Sequence, residues 1–174
     1  MKKWLLFLMP LFLLASCDSS SPKTYRFQDL AFDYPSSYKV EKEDIDGDRC
    51  ELWLLKDGDN FMYIDLQKWD SEMLSQMTEE ELFEGLCEDA YNVYAADLED
   101  EEMDFDDDET SVEMDDNSVI MAYGGTHSGD PFLCVITNKL LQNYEVTTRS
   151  EAMDKETLEE MSFIMKSIHI EPQN

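Results

Sequence analysis

Apolar residues dominate two neighbouring segments in the first half of the chain, Cys50–Leu55 and Phe61–Leu66. The five residues between them, Lys56 to Asn60, include an Asp-Gly step, which is typical of a tight hairpin turn. We therefore predict two antiparallel strands. Apolar residues occupy both alternating sets of positions in these strands, as with Leu52 and Trp53. A sheet with one solvent-exposed face would be polar at every second position, so we expect both faces to be covered.

Two later segments have apolar residues at the spacing of a helix. The first begins at Thr78, because Thr-Glu-Glu-Glu at 78–81 forms a capping box, and it should extend to about Tyr94. The second should extend from near Asp154 to about Ser167. The predicted inner stripes are Leu82, Phe83, Leu86, Ala90, Val93 and Tyr94 in the first helix, and Leu158, Met161, Met165 and Ile168 in the second.

The remaining ordered segments are predicted strands. Short strands between Tyr25 and Glu41 should surround a turn at Pro35, and a Gly-rich loop should span 124–131. Four further strands are predicted at Ser111–Met114, Ser118–Tyr123, Phe132–Thr137 and Tyr144–Arg149. This order favours an α+β fold, with a mostly antiparallel sheet covered by helices on both faces.

The N-terminus has a basic start and an apolar run, Trp4–Leu14, that is shorter than the roughly 20 residues needed to span a bilayer. This layout is typical of a signal peptide. Its ending, Leu-Ala-Ser-Cys at 14–17, resembles the lipobox of bacterial lipoproteins, which implies cleavage before Cys17 and acylation of that residue. We expect a signal peptide at 1–16, a flexible tether at 17–23 and one domain at 24–171. An ordinary signal peptide with an unmodified Cys17 is the alternative.

Charge limits the possible partners. The chain has 41 Asp and Glu against 13 Lys and Arg, a net charge of −28, and losing Lys2 and Lys3 with the signal would make it −30. Such a surface repels nucleic acids and anionic lipid headgroups, and it attracts cations or a basic protein. Solubility alone is the simpler explanation.

Residues 97–109, here called the acidic strip, contain ten acidic residues in thirteen. We predict a solvated loop, because like charges at this density oppose compaction. A cation site and a docking segment for a basic partner are the alternatives. Met103 and Phe105 are apolar within the strip, and they could pack on the core or anchor a partner. The candidate partner-binding residues are Asp104, Phe105, Asp106, Asp107 and Asp108.

A second acidic segment offers Asp44, Asp46 and Asp48 as candidate calcium ligands. An EF-hand loop would need Gly at its sixth position and Glu at its twelfth, and these are Arg49 and Leu55. A looser calcium site is the runner-up to a basic protein partner, and an acidic turn is the simplest interpretation.

Catalytic chemistry has little support in the sequence. His127 lies near Ser128 and Asp130, but triads are recognised by geometry and residues this close in sequence rarely form one. We predict an exposed loop histidine, no cofactor, and a non-enzymatic binding or accessory protein. A hydrolase using His127 is the competing hypothesis.

Three cysteines remain if Cys17 is acylated: Cys50, Cys87 and Cys134. Three cannot all pair within one molecule. Each has apolar neighbours, which favours buried thiols. One disulfide with one spare thiol is the alternative, because an exported compartment permits oxidation.

The segment Phe27–Val40, with its aromatic strand, Tyr34-Pro35 step and following Tyr38, resembles the start of PsbP-like domains. That family usually has a tryptophan where this chain has Tyr38. Residues Ile164 to Ile170 are similar to the last helix of the family. The resemblance implies an α/β/α sandwich and an accessory or binding role with varied partners, and it implies no particular reaction.

Overall fold

The computed structural model describes residues 21–57, 60–100, 103–105, 110–115 and 117–172. Within these residues the chain forms eleven strands and three helices. The strands are β1 Lys23–Phe27, β2 Leu30–Tyr34, β3 Lys39–Asp46, β4 Arg49–Asp57, β5 Asn60–Lys68, β6 Met103–Phe105, β7 Ser111–Asp115, β8 Ser118–His127, β9 Asp130–Leu141, β10 Tyr144–Ala152 and β11 His169–Ile170. The helices are α1 Ser71–Leu74, α2 Glu79–Leu98 and α3 Lys155–Ser167.

The strands form two antiparallel sheets. The larger sheet has the order β3-β4-β5-β10-β9-β8-β6, with β7 also paired to β8. The smaller sheet has the order β1-β2-β11. Every strand pair in the described part of the chain is antiparallel. The prediction of an α+β fold with a mostly antiparallel sheet is therefore confirmed.

One core cluster joins β4, β5 and β10 to α3 and the small sheet. Ile64 and Met161 are fully buried within it. Tyr38, at the position where PsbP-like domains usually have tryptophan, is also fully buried there, and its hydroxyl donates to Glu160 at 3.3 Å. The aromatic residue after the Tyr-Pro step therefore fills the core and ties it to α3.

A second core cluster joins α2 to β8 and β9. Leu86 and Ala90 are its buried helical members, and Phe83, Val93 and Tyr94 pack against it. All five belong to the predicted inner stripe. The helix begins as expected, because Thr78 accepts the amide of Glu81 while the Glu81 carboxylate accepts the amide of Thr78.

The predicted hairpin and the last helix are also confirmed. β4 and β5 pair antiparallel, with Leu52 opposite Ile64. α3 begins after Asp154, whose side chain accepts the amide of Thr157. Helix α1, with Asp70 as its N-cap, was not predicted.

Three predictions were wrong in extent. The first helix continues past Tyr94 to Leu98. The Gly-rich segment is largely strand, because β8 continues through Gly124 and Gly125 to His127 before the turn at Ser128 and Gly129. The acidic strip is not a plain loop, because Asp97 lies in α2 and Met103–Phe105 forms β6.

Several predictions concern residues outside the described ones. These are the signal peptide at 1–16, Cys17 with the first part of the tether, and Asp106, Asp107 and Asp108 of the acidic strip. Within the described ranges, none of the helices combines the length and the apolar character that a membrane crossing requires.

Candidate functional site

Asp97, the first residue of the acidic strip, is part of a buried polar network. It accepts from Arg149 Nε at 2.8 Å, and it also accepts from the hydroxyl of Tyr123. Arg149 lies in β10 and is only 8% exposed. The end of α2 is therefore held to the sheet by a charge pair, and Asp97 is unavailable for a partner.

The network continues through Glu151, which is 1% exposed. Its Oε2 accepts from Nη2 of Arg149 at 2.6 Å, and its Oε1 lies 3.2 Å from Nδ1 of His127. The guanidinium carbon of Arg149 lies 4.9 Å from the centre of the Phe61 ring. A buried charge needs partners of this kind, because an unpaired one is costly.

His127 is the last residue of β8, beside the β8–β9 turn, and its side chain is 30% exposed. The contact with Glu151 therefore places it at a strand end, partly buried, and not in the exposed loop that we predicted. His169 is the first residue of β11, just after α3, and is exposed, with Nδ1 2.7 Å from the carbonyl oxygen of Ser167.

Phe105, the candidate anchor in the acidic strip, packs inward. Its ring lies 5.6 Å from that of Tyr123 and 6.2 Å from those of Tyr94 and Phe132. The exposed residue of β6 is Asp104. Of the two roles expected for Phe105, packing on the core is the one seen here, so Asp104 is the candidate contact residue in the described part of the strip.

Gly125 explains how β6 reaches the sheet. A Cβ atom at Gly125 would lie 2.1 Å from the carbonyl oxygen of Asp104. The absence of a side chain therefore lets the backbone of β6 approach β8. Gly125 therefore serves packing in this fold.

Asp44, Asp46 and Asp48 lie on the exposed edge strand β3 and the turn after it. Asp48 accepts from the Gln28 amide at 2.9 Å. Among the described residues, no group of three or more His, Cys, Asp or Glu is arranged to hold a metal ion. The calcium site stays a prediction.

A groove of about 300 Å³ lies between α2 and the strands β4, β5 and β10. Asp89, Asn92 and Val93 line it from α2, and six strand residues complete the lining. These are Arg49, Tyr63, Asp65, Gln67, Glu145 and Thr147. Three carboxylates therefore face the same space as one guanidinium.

Glu145 is the buried acid of this groove, at 8% exposure. Its carboxylate accepts from Asn138 at 2.8 Å and from the indole of Trp69 at 3.0 Å. Burial raises the pKa of Glu145 above its ordinary value, and the neighbouring carboxyl of Asp89 raises it further, against the lowering effect of the two donors. The two neighbouring carboxylates repel each other, so a cation nearby would favour this arrangement.

An aromatic surface continues from the groove toward the edge of the sheet. The rings of Tyr63 and Trp53, which are paired across β4 and β5, lie 4.7 Å apart. Both residues are half-buried. Lys42 Nζ from β3 lies 4.2 Å from the centre of the Trp53 ring, a cation–π contact.

The three described cysteines are free thiols. Cys50 and Cys134 are buried and Cys87 is half-buried, so the buried-thiol prediction is confirmed for two of them. Burial raises the pKa of Cys134 to about 12, which keeps this thiol neutral and unreactive.

The groove was not predicted from the sequence. Its residues come from α2, β4, β5 and β10, and only the register of the sheet brings them together. One signal was present, because Trp53 and Tyr63 alternate with Leu52, Leu54 and Ile64 as a second, aromatic set of apolar positions.

Comparisons with known proteins identify the fold only. No known protein family matches the sequence, and no curated protein matches it. The structure is similar to the solution structure of cyanobacterial PsbP (CyanoP) from Synechocystis sp. PCC 6803, with a TM-score of 0.54 and 12% sequence identity over 90% of this chain and 98% of that chain. The chain therefore has a PsbP-like fold.

Proposed function

We propose that this chain is a lipid-anchored, exported binding or accessory protein of the bacterial envelope that recognises a basic protein partner without catalysing a reaction. The proposal rests on the charge of the chain, which has 41 acidic residues against 13 basic ones. Such a field attracts a basic partner at long range and raises the rate of encounter.

The distribution of acidic residues supports this proposal. Strand β3 is exposed along its whole length and carries Glu41, Glu43, Asp44 and Asp46. Asp104 adds an exposed carboxylate on β6 at the other end of the larger sheet. In the buried polar network, Arg149 and Glu151 are paired with each other. Acidic surface is thus present at both edges of the sheet.

The anchor is proposed from the sequence, where Leu14-Ala15-Ser16-Cys17 ends a short apolar run. Two or more acyl chains give stable membrane anchoring where one chain gives only marginal binding. Mass spectrometry of the mature protein tests this step: acylated Cys17 is expected at the new N-terminus, and an unmodified Cys17 in membrane-free protein would refute it.

We also propose that helices cover both faces of the larger sheet. We place one helix on each face, as in an α/β/α sandwich. Support comes from the β9–β10 register, which puts Cys134 opposite Glu151 and Val135 opposite Ser150. Cys134 belongs to the cluster with α2, while Ser150 and Val135 border α3.

Capture from an envelope extract tests the partner. We expect a basic protein to bind at low salt and to dissociate as salt rises, because screening weakens attraction between exposed charges. Replacing Asp106, Asp107 and Asp108 by Asn should reduce capture if the acidic strip takes part. If capture is unchanged by both salt and the substitutions, the charge serves solubility alone.

Calcium binding is the second candidate, favoured by the position of Asp44, Asp46 and Asp48 around one exposed turn. Calorimetry with calcium separates calcium binding from recognition of a basic protein, and millimolar or tighter binding that is lost in Asp46→Asn would favour the calcium site.

A hydrolase using His127 would instead need a nucleophile and substrate space beside the His127–Glu151 pair, and hydrolysis lost in His127→Ala would support that reaction.

A further inference from the structure

The groove beside α2 combines three features that suit a binding site. It is a concave space at the border of a helix and a sheet, it is rich in carboxylates, and it contains the ring of Tyr63, which packs against Trp53 outside the groove. Helix α2 packs on β8, β9 and β10. The part of this sheet face formed by β4 and β5 therefore lies beside the helix, and Tyr63 stands where the two surfaces meet.

The charges in the groove are unbalanced. Its one cation, Arg49, is already engaged, with Nη2 2.6 Å from Asp65 and 2.8 Å from Glu51. Glu145 and Asp89 have no cationic partner among the lining residues, although Glu145 accepts hydrogen bonds from two neutral donors. A second positive group placed between these two carboxyls would relieve their repulsion.

The aromatic pair of Tyr63 and Trp53 shows what kind of positive group suits this surface. Lys42 of β3 already places its ammonium over the ring of Trp53. Trp53 lies in β4 directly beside Tyr63 of β5, so the two rings belong to the same face of the sheet. Amino and guanidinium groups combine favourably with both aromatic faces and carboxylates. An ammonium or guanidinium on a flexible apolar stem matches the groove, since the stem can lie along the rings while the charge reaches the acids.

We propose that the groove between α2 and β5 binds a Lys or Arg side chain from a basic segment of the protein partner, with Tyr63 along its stem and Asp89 and Glu145 at its charge. This inference rests on the proposed function and adds the place of recognition. The occupant is a protein segment because the acidic surface continues beyond the groove onto β3, where further basic residues of the same segment would lie.

The test uses the full chain and two probes, tetralysine amide and tetraarginine amide, with tetraglutamate amide as the negative probe. The groove variant is Asp89→Asn with Glu145→Gln. The matched control is Glu113→Gln with Glu156→Gln, which removes the same charge at exposed positions on β7 and α3. We expect the groove variant to lose about tenfold more affinity for the cationic probes than the control. Tyr63→Ala should also weaken binding, although it leaves the net charge unchanged.

The outcomes separate this inference from the proposed function. If the groove variant and the control lose affinity equally, binding follows the overall charge, so the groove assignment is overturned while the basic-partner proposal stands. If neither cationic probe binds the unmodified chain at low salt, both fail. Amide chemical shifts in the unmodified chain supply a second readout that needs no variant: shifts centred on Tyr63, Asp89 and Asn92 support the groove, and shifts confined to Asp104 and its neighbours overturn it.

Discussion

Arg149 and Glu151 are charged residues of β10 whose side chains lie inside the protein. Each has a charged partner, and Arg149 contacts both Asp97 and Glu151. Paired charges of this kind add little net stability compared with apolar residues, but removing one member leaves the others unpaired in a poorly solvated place. Arg149 therefore holds the C-terminal end of α2 to the sheet, in addition to the apolar cluster along the helix.

We predict that Arg149→Met destabilises the protein by about 3–5 kcal/mol, because Glu151 and Asp97 would lose their shared cation. Urea unfolding followed by circular dichroism measures the change. Arg26→Met is the matched control, since Arg26 pairs with Glu171 at the surface, and it should have a much smaller effect. Equal effects of the two substitutions would show that the buried network is not a stabilising unit.

Helix α2 illustrates how a few residues decide an element. The Thr78 capping box satisfies two amides that would otherwise lack partners, and the apolar stripe after it faces β8 and β9. Both features are local in the sequence. The position and inward face of α2 were therefore predictable. For α3 the position was also predictable, but the predicted stripe included the buried Met161 and omitted the fully buried Ile164.

Thr78→Ala should cost about 1 kcal/mol, because the amide of Glu81 would lose its acceptor. Urea midpoints of the two proteins measure the difference. Thr110→Ala is a suitable control, since Thr110 is exposed in the segment before β7. A loss in the control as large as that in Thr78→Ala would contradict a specific capping role.

Strand β6 depends on contacts that the local sequence does not reveal. Ten acidic residues in the acidic strip indicate repulsion and a loop, yet Met103–Phe105 pairs with β8. The pairing depends on space above Gly125 and on rings from three separate elements around Phe105. Such long-range contacts are absent from any local pattern, and the same is true of the groove residues, which only the strand register assembles.

Gly125→Ala should detach β6, because the new methyl group would collide with the carbonyl of Asp104. We expect a lower unfolding midpoint and a changed near-ultraviolet circular dichroism spectrum, since Phe105 would leave the ring cluster. Gly85→Ala provides a control of opposite sign: it lies in α2 with open space around its Cβ position, and it should stabilise the helix by about 0.5–1 kcal/mol. An unchanged spectrum in Gly125→Ala would refute the close-approach argument.

Across the protein, the acidic excess acts on stability as well as on partners. A net charge of −28 opposes compaction through self-repulsion, and it falls in magnitude as carboxylates are protonated. Local environments shift the pKa values of individual carboxyl groups in both directions. The pKa of Glu145 is raised, mainly by burial and further by Asp89, whereas hydrogen bonds from Thr78 and Thr157 lower the pKa values of Glu81 and Asp154.

These shifts predict a stability maximum at mildly acidic pH. A raised carboxyl pKa favours the folded state at low pH, and this contribution is lost as pH rises through the folded-state pKa of Glu145, which lies above the ordinary 4.5. The lowered pKa values of Glu81 and Asp154 act in the reverse sense, and their contributions are lost as pH falls below their ordinary values of 4.5 and 3.8. The urea midpoint should therefore be higher at about pH 5 than at about pH 7.5, and lower again at about pH 3.

The variant Glu145→Gln tests whether Glu145 causes the gain in stability between neutral and mildly acidic pH. It removes the carboxyl that faces Asp89, Asn138 and Trp69, so the gain in stability between neutral and mildly acidic pH should shrink. Glu156→Gln, an exposed change on α3, should leave the gain intact. If both variants keep the full gain, relief of overall repulsion explains it without Glu145. If the gain shrinks only in Glu145→Gln, the carboxyl pair in the groove is unfavourable at neutral pH, which is the condition that a cationic side chain bound there would relieve.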